Sequence, residues 1–512
     1  MLNRKYIKEI SGLSSLLLLS IPAVSQNRPN ILYIMSDDHA ANAVSAYGGF
    51  LSKILPTPNI DNIGKNGAIL RSCFATNSIS TPSRATILTG QYSHKNGVYT
   101  LSDKLDVTKE TLPLILRNNG YTTAMFGKWH LVTEPQGFDK YACFIGQGVY
   151  NNPPLIENDR TDGKSFEESK GKKYIGNSED VVASKTIEWL EKERNKTKPF
   201  FIMCHFKAPH RNWQPAERFA HLFDGITIPE PSNLYDNYES RGKYTSKIHQ
   251  GLEIMDSSDV KMKIPSFASR DELRKWLYQR YMKDYLACVA GVDENVGRLV
   301  KYLKDNNLYD NTIIIYTSDQ GFFLGEHGWF DKRLMQEESI KMPFLISYPK
   351  EIKAGSSNND LIINADFAPT LLDYAGIKVP TDMQGKSFRS NLSGKRSSDW
   401  RTSFYYRYYM HMDYWHHSVA NLGVRTDRYK LIFYYGDPLN KKGAFGPSFD
   451  PEWELYDLKN DPAEMHNLYN KPGYEKITKQ LKEEILKLRR ELQDNDDESG
   501  RMKEIMENYF WK

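Results

Sequence analysis

Four continuous runs of apolar and β-branched residues stand out along the larger, N-terminal part of the chain: Ile31 to Met35, Thr122 to Phe126, Phe200 to His205 and Thr312 to Thr317. Runs of this length without polar alternation predict strands buried on both faces of a largely parallel sheet. Between the last two, Leu277, Tyr281, Tyr285, Cys288, Val292, Val296 and Leu299 recur every three or four residues. That stripe predicts one long amphipathic helix covering a sheet face. The fold class expected is therefore α/β, a large mixed, mostly parallel sheet sandwiched by helices.

Two stretches break this pattern. Residues from Asn233 to Phe267 are polar and aperiodic, which predicts an insertion or a ligand-side loop. After Ser393-Gly394-Lys395 the chain turns to short aromatic segments, Ser403 to Tyr409, Tyr429 to Tyr435 and Trp453 to Leu458. A last helix carries Leu481, Ile485, Leu488 and Leu492 on one face. The division expected is a main domain over 26–394 and a smaller C-terminal α+β subdomain over 395–512, a small antiparallel sheet plus a helix.

The N-terminus reads as an export signal over residues 1–25. Arg4, Lys5 and Lys8 precede the apolar run Leu13 to Ile21, and Ala23-Val24-Ser25 offers a small-x-small cleavage site. The run is short for a bilayer span and no later stretch reads as transmembrane. The expectation is an exported protein, periplasmic or secreted, without a membrane span. Composition is 40% hydrophobic and 26% charged, which excludes a disordered chain. The net charge of +4 gives no reason to expect nucleic acid or a membrane surface as partner. The 32 Tyr residues suit either a large core or a surface that stacks on sugar rings. Cys73, Cys143, Cys204 and Cys288 form no CxxC pair and sit in apolar contexts, so buried thiols compete with disulfides.

The residues directly after each apolar run carry the chemistry. The four runs lead into Ser36-Asp37-Asp38-His39, Gly127-Lys128-Trp129-His130, Lys207-Ala208-Pro209-His210 and Ser318-Asp319-Gln320-Gly321. In an open parallel sheet the carboxyl ends of the strands share one edge, where ligands bind. Asp37, Asp38, Asp319 and the Gln320 amide are hard oxygen donors suited to Ca2+ or Mg2+. Arg84, Lys128, His130, His210 and Lys332 would surround that point with cations and donors, an arrangement that binds a tetrahedral oxyanion ester. A single Asp-Asp at a strand end is more often a turn or helix cap. Four endings of compatible chemistry reverse that preference.

Ser80-Thr81-Pro82-Ser83-Arg84 through Thr89-Gly90 opens a further helix, with Pro82 in the first turn, where a missing N–H costs nothing. A group at Ser80 would sit at the positive end of that helix.

Here the chain resembles the formylglycine-dependent sulfatases, whose signature is Cys or Ser, any residue, Pro, Ser, Arg, with a Thr-Gly element downstream. Ser80 to Gly90 reproduces it. The strand-end blocks and Glu454-Leu455-Tyr456-Asp457-Leu458 with Asn460-Asp461-Pro462 are similar to family blocks and stand in family order. The resemblance implies an alkaline-phosphatase-like sheet and oxidation of Ser80 to formylglycine, whose hydrate attacks sulfur. It implies one Ca2+ held by Asp37, Asp38, Asp319 and Gln320. Arg84 and Lys128 would stabilise the formylglycine, and His130 would act as base. His210 and Lys332 would grip the sulfate and protonate the departing oxygen. Many members carry Asn where Gln320 stands; Gln keeps the amide oxygen on a longer arm. Ser at position 80 implies a radical S-adenosylmethionine maturase acting before export, as in anaerobic bacteria, unless it replaces an original Cys.

The sulfated sugar must be chosen by neighbours of these residues. His327 and Asp331-Lys332-Arg333 bracket the expected catalytic Lys, so His327, Asp331 and Arg333 are candidates to contact the sugar. An Asp–Arg pair accepts from one hydroxyl and donates to the next. Trp213 and the cluster Tyr414-Trp415-His416-His417 are further wall candidates. Ala208-Pro209-His210 with Trp213 and Pro215, together with the Asp331-Lys332-Arg333 block, is most similar to the N-acetylglucosamine-6-sulfatase branch, which implies removal of 6-O-sulfate from glucosamine units of a sulfated oligosaccharide from glycosaminoglycan or mucin. Two alternatives remain open at this level: a phosphonate monoester or phosphodiester hydrolase of the same superfamily, and a secreted carbohydrate-binding protein without catalysis.

Overall fold

The computed structural model describes residues 28–512; the export signal expected over 1–25 lies outside the described residues. One sheet contains β1 (Asn30–Ser36), β2 (Ala68–Leu70), β3 (Thr122–Gly127), β4 (Lys140–Phe144), β5 (Pro154–Glu157), β6 (Lys172–Lys173), β7 (Phe200–His205), β8 (Thr312–Ser318), β9 (Phe344–Ser347) and β10 (Ser356–Asn358). Their spatial order is β10-β2-β9-β8-β1-β7-β3-β4-β5-β6. The contiguous block β8-β1-β7-β3-β4 is parallel throughout. Antiparallel pairings appear only outside it, at β9 on one side and β5 on the other. The four apolar runs are thus neighbours, and their carboxyl ends share one edge.

Pleating sends alternate residues to opposite faces. Leu32 and Ile34 of β1 join a core with the long helix Arg270–Asp305, in which the Leu277-to-Leu299 stripe is buried. Ile31, Tyr33 and Met35 join the opposite core with the helix Ser80–Thr89, which is buried on every side. The signature helix therefore has no solvent-exposed face. Its C-terminus closes at Gly90 with φ +63°, and an added Cβ there would meet Met383 at 3.0 Å. A glycine ends this helix for both reasons. All four cysteines are buried free thiols.

The C-terminal region forms a four-stranded antiparallel sheet of β11 (Ser403–Tyr408), β12 (Asn421–Thr426), β13 (Tyr429–Tyr434) and β14 (Glu452–Asp457). Helix Glu475–Leu492 buries Leu481 and Ile485 against it, and a further helix, Gly500–Tyr509, adds Met502 and Ile505. This sheet also braces the signature segment. The Arg407 N–H donates to the Thr76 carbonyl at 3.0 Å, and the Ser78 N–H donates to the Tyr406 hydroxyl at 3.3 Å. Tyr406 in turn donates to the Arg333 carbonyl at 2.9 Å. One tyrosine therefore ties the segment before Ser80 to the loop carrying Lys332.

Candidate active site

Ser80 begins its helix directly above the carboxyl end of β1. Its hydroxyl donates to Asp37 Oδ1 at 3.3 Å. Asp37 also pairs with the Lys128 ammonium in a close contact, and Arg84 Nη2 lies 3.6 Å from it. Arg84 is held by Asp319 Oδ2 at 3.0 Å and by the Lys128 carbonyl at 2.7 Å. Lys332 Nζ donates to both oxygens of Asp38, at 2.6 and 2.7 Å. His210 Nε2 lies 3.7 Å from Asp38 Oδ2. Residues from every predicted strand end, with Ser80, Arg84 and Lys332, thus converge on one place.

Burial sets the electrostatics. Asp37 is fully buried, which would raise its pKa, but Lys128, His210, Arg84 and Lys332 outweigh burial and hold it well below the usual carboxylate range. Asp38 moves the other way, to about 7, because burial dominates and Asp37 and Asp319 add repulsion that Lys332 only partly relieves. Burial likewise lowers Lys128 to about 8, despite Asp37. His130 lies far below its ordinary value through burial and then the Lys128 and Arg84 charges, so it is a neutral imidazole at pH 7. Lys332 is raised: burial would lower it, but Asp331, Asp38 and Asp37 prevail. It keeps its proton. Asp38, His130, Asp331 and Arg333 all have positive φ, 64°, 56°, 80° and 87°. Such backbone is costly for residues other than glycine and collects at functional sites.

A divalent metal fits this donor set. Three fully buried carboxylates, Asp37, Asp38 and Asp319, crowd together, and the carbonyl oxygen of buried Gln320 has no hydrogen-bond partner. An orphaned amide oxygen beside three carboxylates is what a hard cation satisfies. Single donor atoms of Asp37, Asp38 and His210 lie within 4.8 Å of one another. His210 Nδ1 is engaged with the Arg211 carbonyl at 2.7 Å, leaving Nε2 toward the centre.

Above this centre opens a pocket of about 450 Å³ lined by Ser80, His130, His210, Lys332, Asp331 and Arg333 among others. Arg333 is 4% exposed, and its Nε lies 3.4 Å from Asp331 Oδ1 and 3.9 Å from Asp413 Oδ2. His416 joins the wall, its Nε2 3.2 Å from Asp331 and its Nδ1 2.8 Å from Asp413. A larger cavity of about 510 Å³ lies between Asn42, Glu338 and Arg428, and none of the expected catalytic residues line it.

The sulfatase family model matches residues 29–377, more than half of the chain. The chain belongs to the sulfatase family. A second model, for the C-terminal region of N-sulphoglucosamine sulphohydrolase, matches this sulfatase over 325–491. An N-acetylglucosamine-6-O-sulfatase of Bacteroides thetaiotaomicron is 43% identical, covering 92% of this chain and 88% of the relative. The solved structure of BT4656 in complex with its substrate D-glucosamine-2-N,6-O-disulfate superposes with a TM-score of 0.83 at 41% identity, over 92% of this chain and 99% of that one. A phosphonate monoester hydrolase of Agrobacterium radiobacter shares the fold at 21% identity and TM-score 0.70, over 91% of this chain and 96% of that one.

Two expectations for the sulfatase's pocket wall need correction. Trp213 is 0% exposed and packs on Tyr281, 4.5 Å between ring centroids, so its ring belongs to the core. His327 is also buried, and its Nδ1 is taken up by Asp236 at 2.8 Å and Arg241 at 3.1 Å, behind the wall. Other wall residues had not been anticipated. Gln147 accepts from Lys128 Nζ at 2.5 Å and follows β4, a parallel strand whose apolar run Tyr141 to Phe144 obeys the same strand-end rule. Arg211, Asn212, Asp256 and Ser258 also line the pocket, the last two from the polar segment 233–267. No periodic signal marks those four. No helix among the described residues is long and apolar enough to cross a membrane.

Proposed function

We propose that this sulfatase removes the 6-O-sulfate of N-acetylglucosamine units in glycosaminoglycan or mucin fragments. The observation that carries the reading is the shared pocket: Asp331 and Arg333 stand on the same wall as Ser80, His210 and Lys332. A carboxylate acceptor beside a guanidinium donor suits adjacent sugar hydroxyls next to a sulfate-sized site. The B. thetaiotaomicron relative, named for N-acetylglucosamine, and the glucosamine disulfate bound to BT4656 both support a 6-sulfated glucosamine unit.

When Ser80 is converted to formylglycine, that group would supply the oxygen nucleophile, and Asp37, Asp38, Asp319 and Gln320 would hold Ca2+, which would supply positive charge at the sulfate. Arg84 and Lys128 orient the group at position 80. Lys332, protonated, stands with His210 where the sugar oxygen departs and offers it a proton. His130, neutral, can accept a proton at its unpartnered Nδ1 when sulfate leaves. The reading includes a maturase of the radical S-adenosylmethionine type, export with cleavage near residue 25, and the division at 394.

The test is the mass of the Ser80 peptide from protein made in its own host, with sulfate release assayed in parallel. Loss of two hydrogens together with release from 6-sulfated N-acetylglucosamine is expected. An intact serine, or turnover dominated by phosphodiesters, would overturn the proposal.

A further inference from the structure

The catalytic pocket is closed on one side by the loop between β11 and β12, and that loop changes character within three residues. Asp413 is 2% exposed, Trp415 is 69% exposed, and His416 is 8% exposed. Trp415 nevertheless lines the same pocket as Ser80. Tyr414, 74% exposed, packs edge-on against it with centroids 5.0 Å apart.

This exposure is not slackness of the loop. The Trp415 N–H donates to Asp413 Oδ1 at 3.3 Å, and His249 Nδ1 lies 2.8 Å from the Trp415 carbonyl. The His249 N–H donates to the His416 carbonyl at 2.8 Å, and the His249 and His417 rings stack at 5.2 Å. Farther along, the Met412 N–H donates to the Ser418 carbonyl at 2.7 Å. Two remote segments, 233–267 and the β11–β12 loop, thus fix the backbone that presents one large, exposed indole at the pocket. Asn212, Asp256 and Ser258 complete the mouth with hydroxyl-compatible polar groups. An aromatic face beside a polar rim matches a pyranose, which has an apolar C–H face and hydroxyl edges. The buried Asp331, Arg333 and His416 lie deeper, where the sulfated unit would sit.

We propose that Trp415 is the stacking platform for the sugar ring adjoining the sulfated unit, so that the enzyme reads at least two sugars. This rests on the proposed function, in which a sulfated hexosamine occupies the deeper pocket. Because the loop backbone is already fixed, stacking costs the rotamer freedom of the indole but no ordering of the loop.

The test compares 6-O-sulfo-N-acetylglucosamine alone with the same unit linked to a second hexose. In Trp415→Ala, the ratio of kcat/KM for the disaccharide to that for the monosaccharide should fall by roughly fivefold to tenfold, the scale of one aromatic stacking contact. Trp415→Phe should restore most of it. A ratio within about twofold of wild type overturns the platform. Calorimetric titration of the disaccharide into protein whose Ser80 is left unmodified reads it without turnover: weaker binding by Trp415→Ala supports it, and equal affinities overturn it. Failure of the wild-type enzyme to release sulfate from either sugar would instead strike the functional reading, leaving the calorimetry to decide the platform.

Discussion

Asp319 and Asp331 are both buried carboxylates close to Ser80, yet they answer to different partners. Asp319 receives Arg84 Nε at 3.1 Å and the Asp38 N–H at 3.2 Å, inside the oxygen cluster fit for a cation. Asp331 lies between His416 and Arg333 on the pocket wall. Asp319→Ala should therefore lower kcat/KM for a small aryl sulfate by about a thousandfold or more, while Asp331→Ala should cost about tenfold or less. With sulfated glucosamine, both should lose heavily. Steady-state assays on the two substrates check this, and equal losses on the aryl sulfate would show that cation site and sugar wall have been confused. The chemistry-bearing residues at strand ends were legible because charge directly after an apolar run is conspicuous. Trp213 and His327 were misplaced because proximity in sequence does not fix direction. Trp213 points into the Tyr281 side of the core, and His327, at φ 58°, turns toward Asp236.

At the scale of elements, strands buried on both faces were readable and strands of mixed composition were not. β12, Asn421-Leu422-Gly423-Val424-Arg425-Thr426, has the polar content of a loop, but its partners β11 and β13 supply the apolar contacts that bury it. The signature helix could be located only by its motif, since a helix buried on every side has no amphipathic period. A further contact invisible to pattern pins helix Glu475–Leu492 to β11. Asp494 accepts from Arg407 Nη1 at 2.7 Å, from Arg489 Nη1 at 3.2 Å and from the Tyr405 hydroxyl at 2.7 Å. Burial would raise the Asp494 pKa, but Arg407 and Arg489 hold it well below the usual range. A depressed folded pKa gives stability that is complete above the unfolded carboxylate value, about 4, and drains away as pH falls below it. Asp494→Asn should thus destabilise by about 1 to 3 kcal/mol at pH 7, since two buried guanidinium groups lose one carboxylate but keep Asp496, and Arg489 also Asp497. The gap between variant and wild type in urea titrations should narrow below about pH 4. A constant gap across that range would assign the loss to packing.

For the whole molecule, the oxygen cluster is a joint as well as a site. Asp37 and Asp38 end β1, Asp319 and Gln320 end β8, and these strands are paired along their full length. Lys332 reaches Asp38 from the loop that Tyr406 ties to the C-terminal sheet. A divalent cation at this point would relieve repulsion among three buried carboxylates and join the ends of the two central strands. Any ligand that binds the folded chain alone stabilises it by mass action, by about 2.7 kcal/mol at a hundredfold excess over its Kd. Calcium should therefore raise Tm in a concentration-dependent way, and a chelator should lower both Tm and sulfate release. Magnesium should substitute poorly, because three carboxylates and a long Gln arm make an adaptable cage better suited to the larger ion's looser coordination. The discriminating measurement is the calcium dependence of Tm in Asp319→Ala. If the cluster is the cation site, Tm of that variant no longer responds to calcium. A response as large as wild type's would place the ion elsewhere and leave the carboxylates to be balanced by Arg84, Lys128 and Lys332 alone.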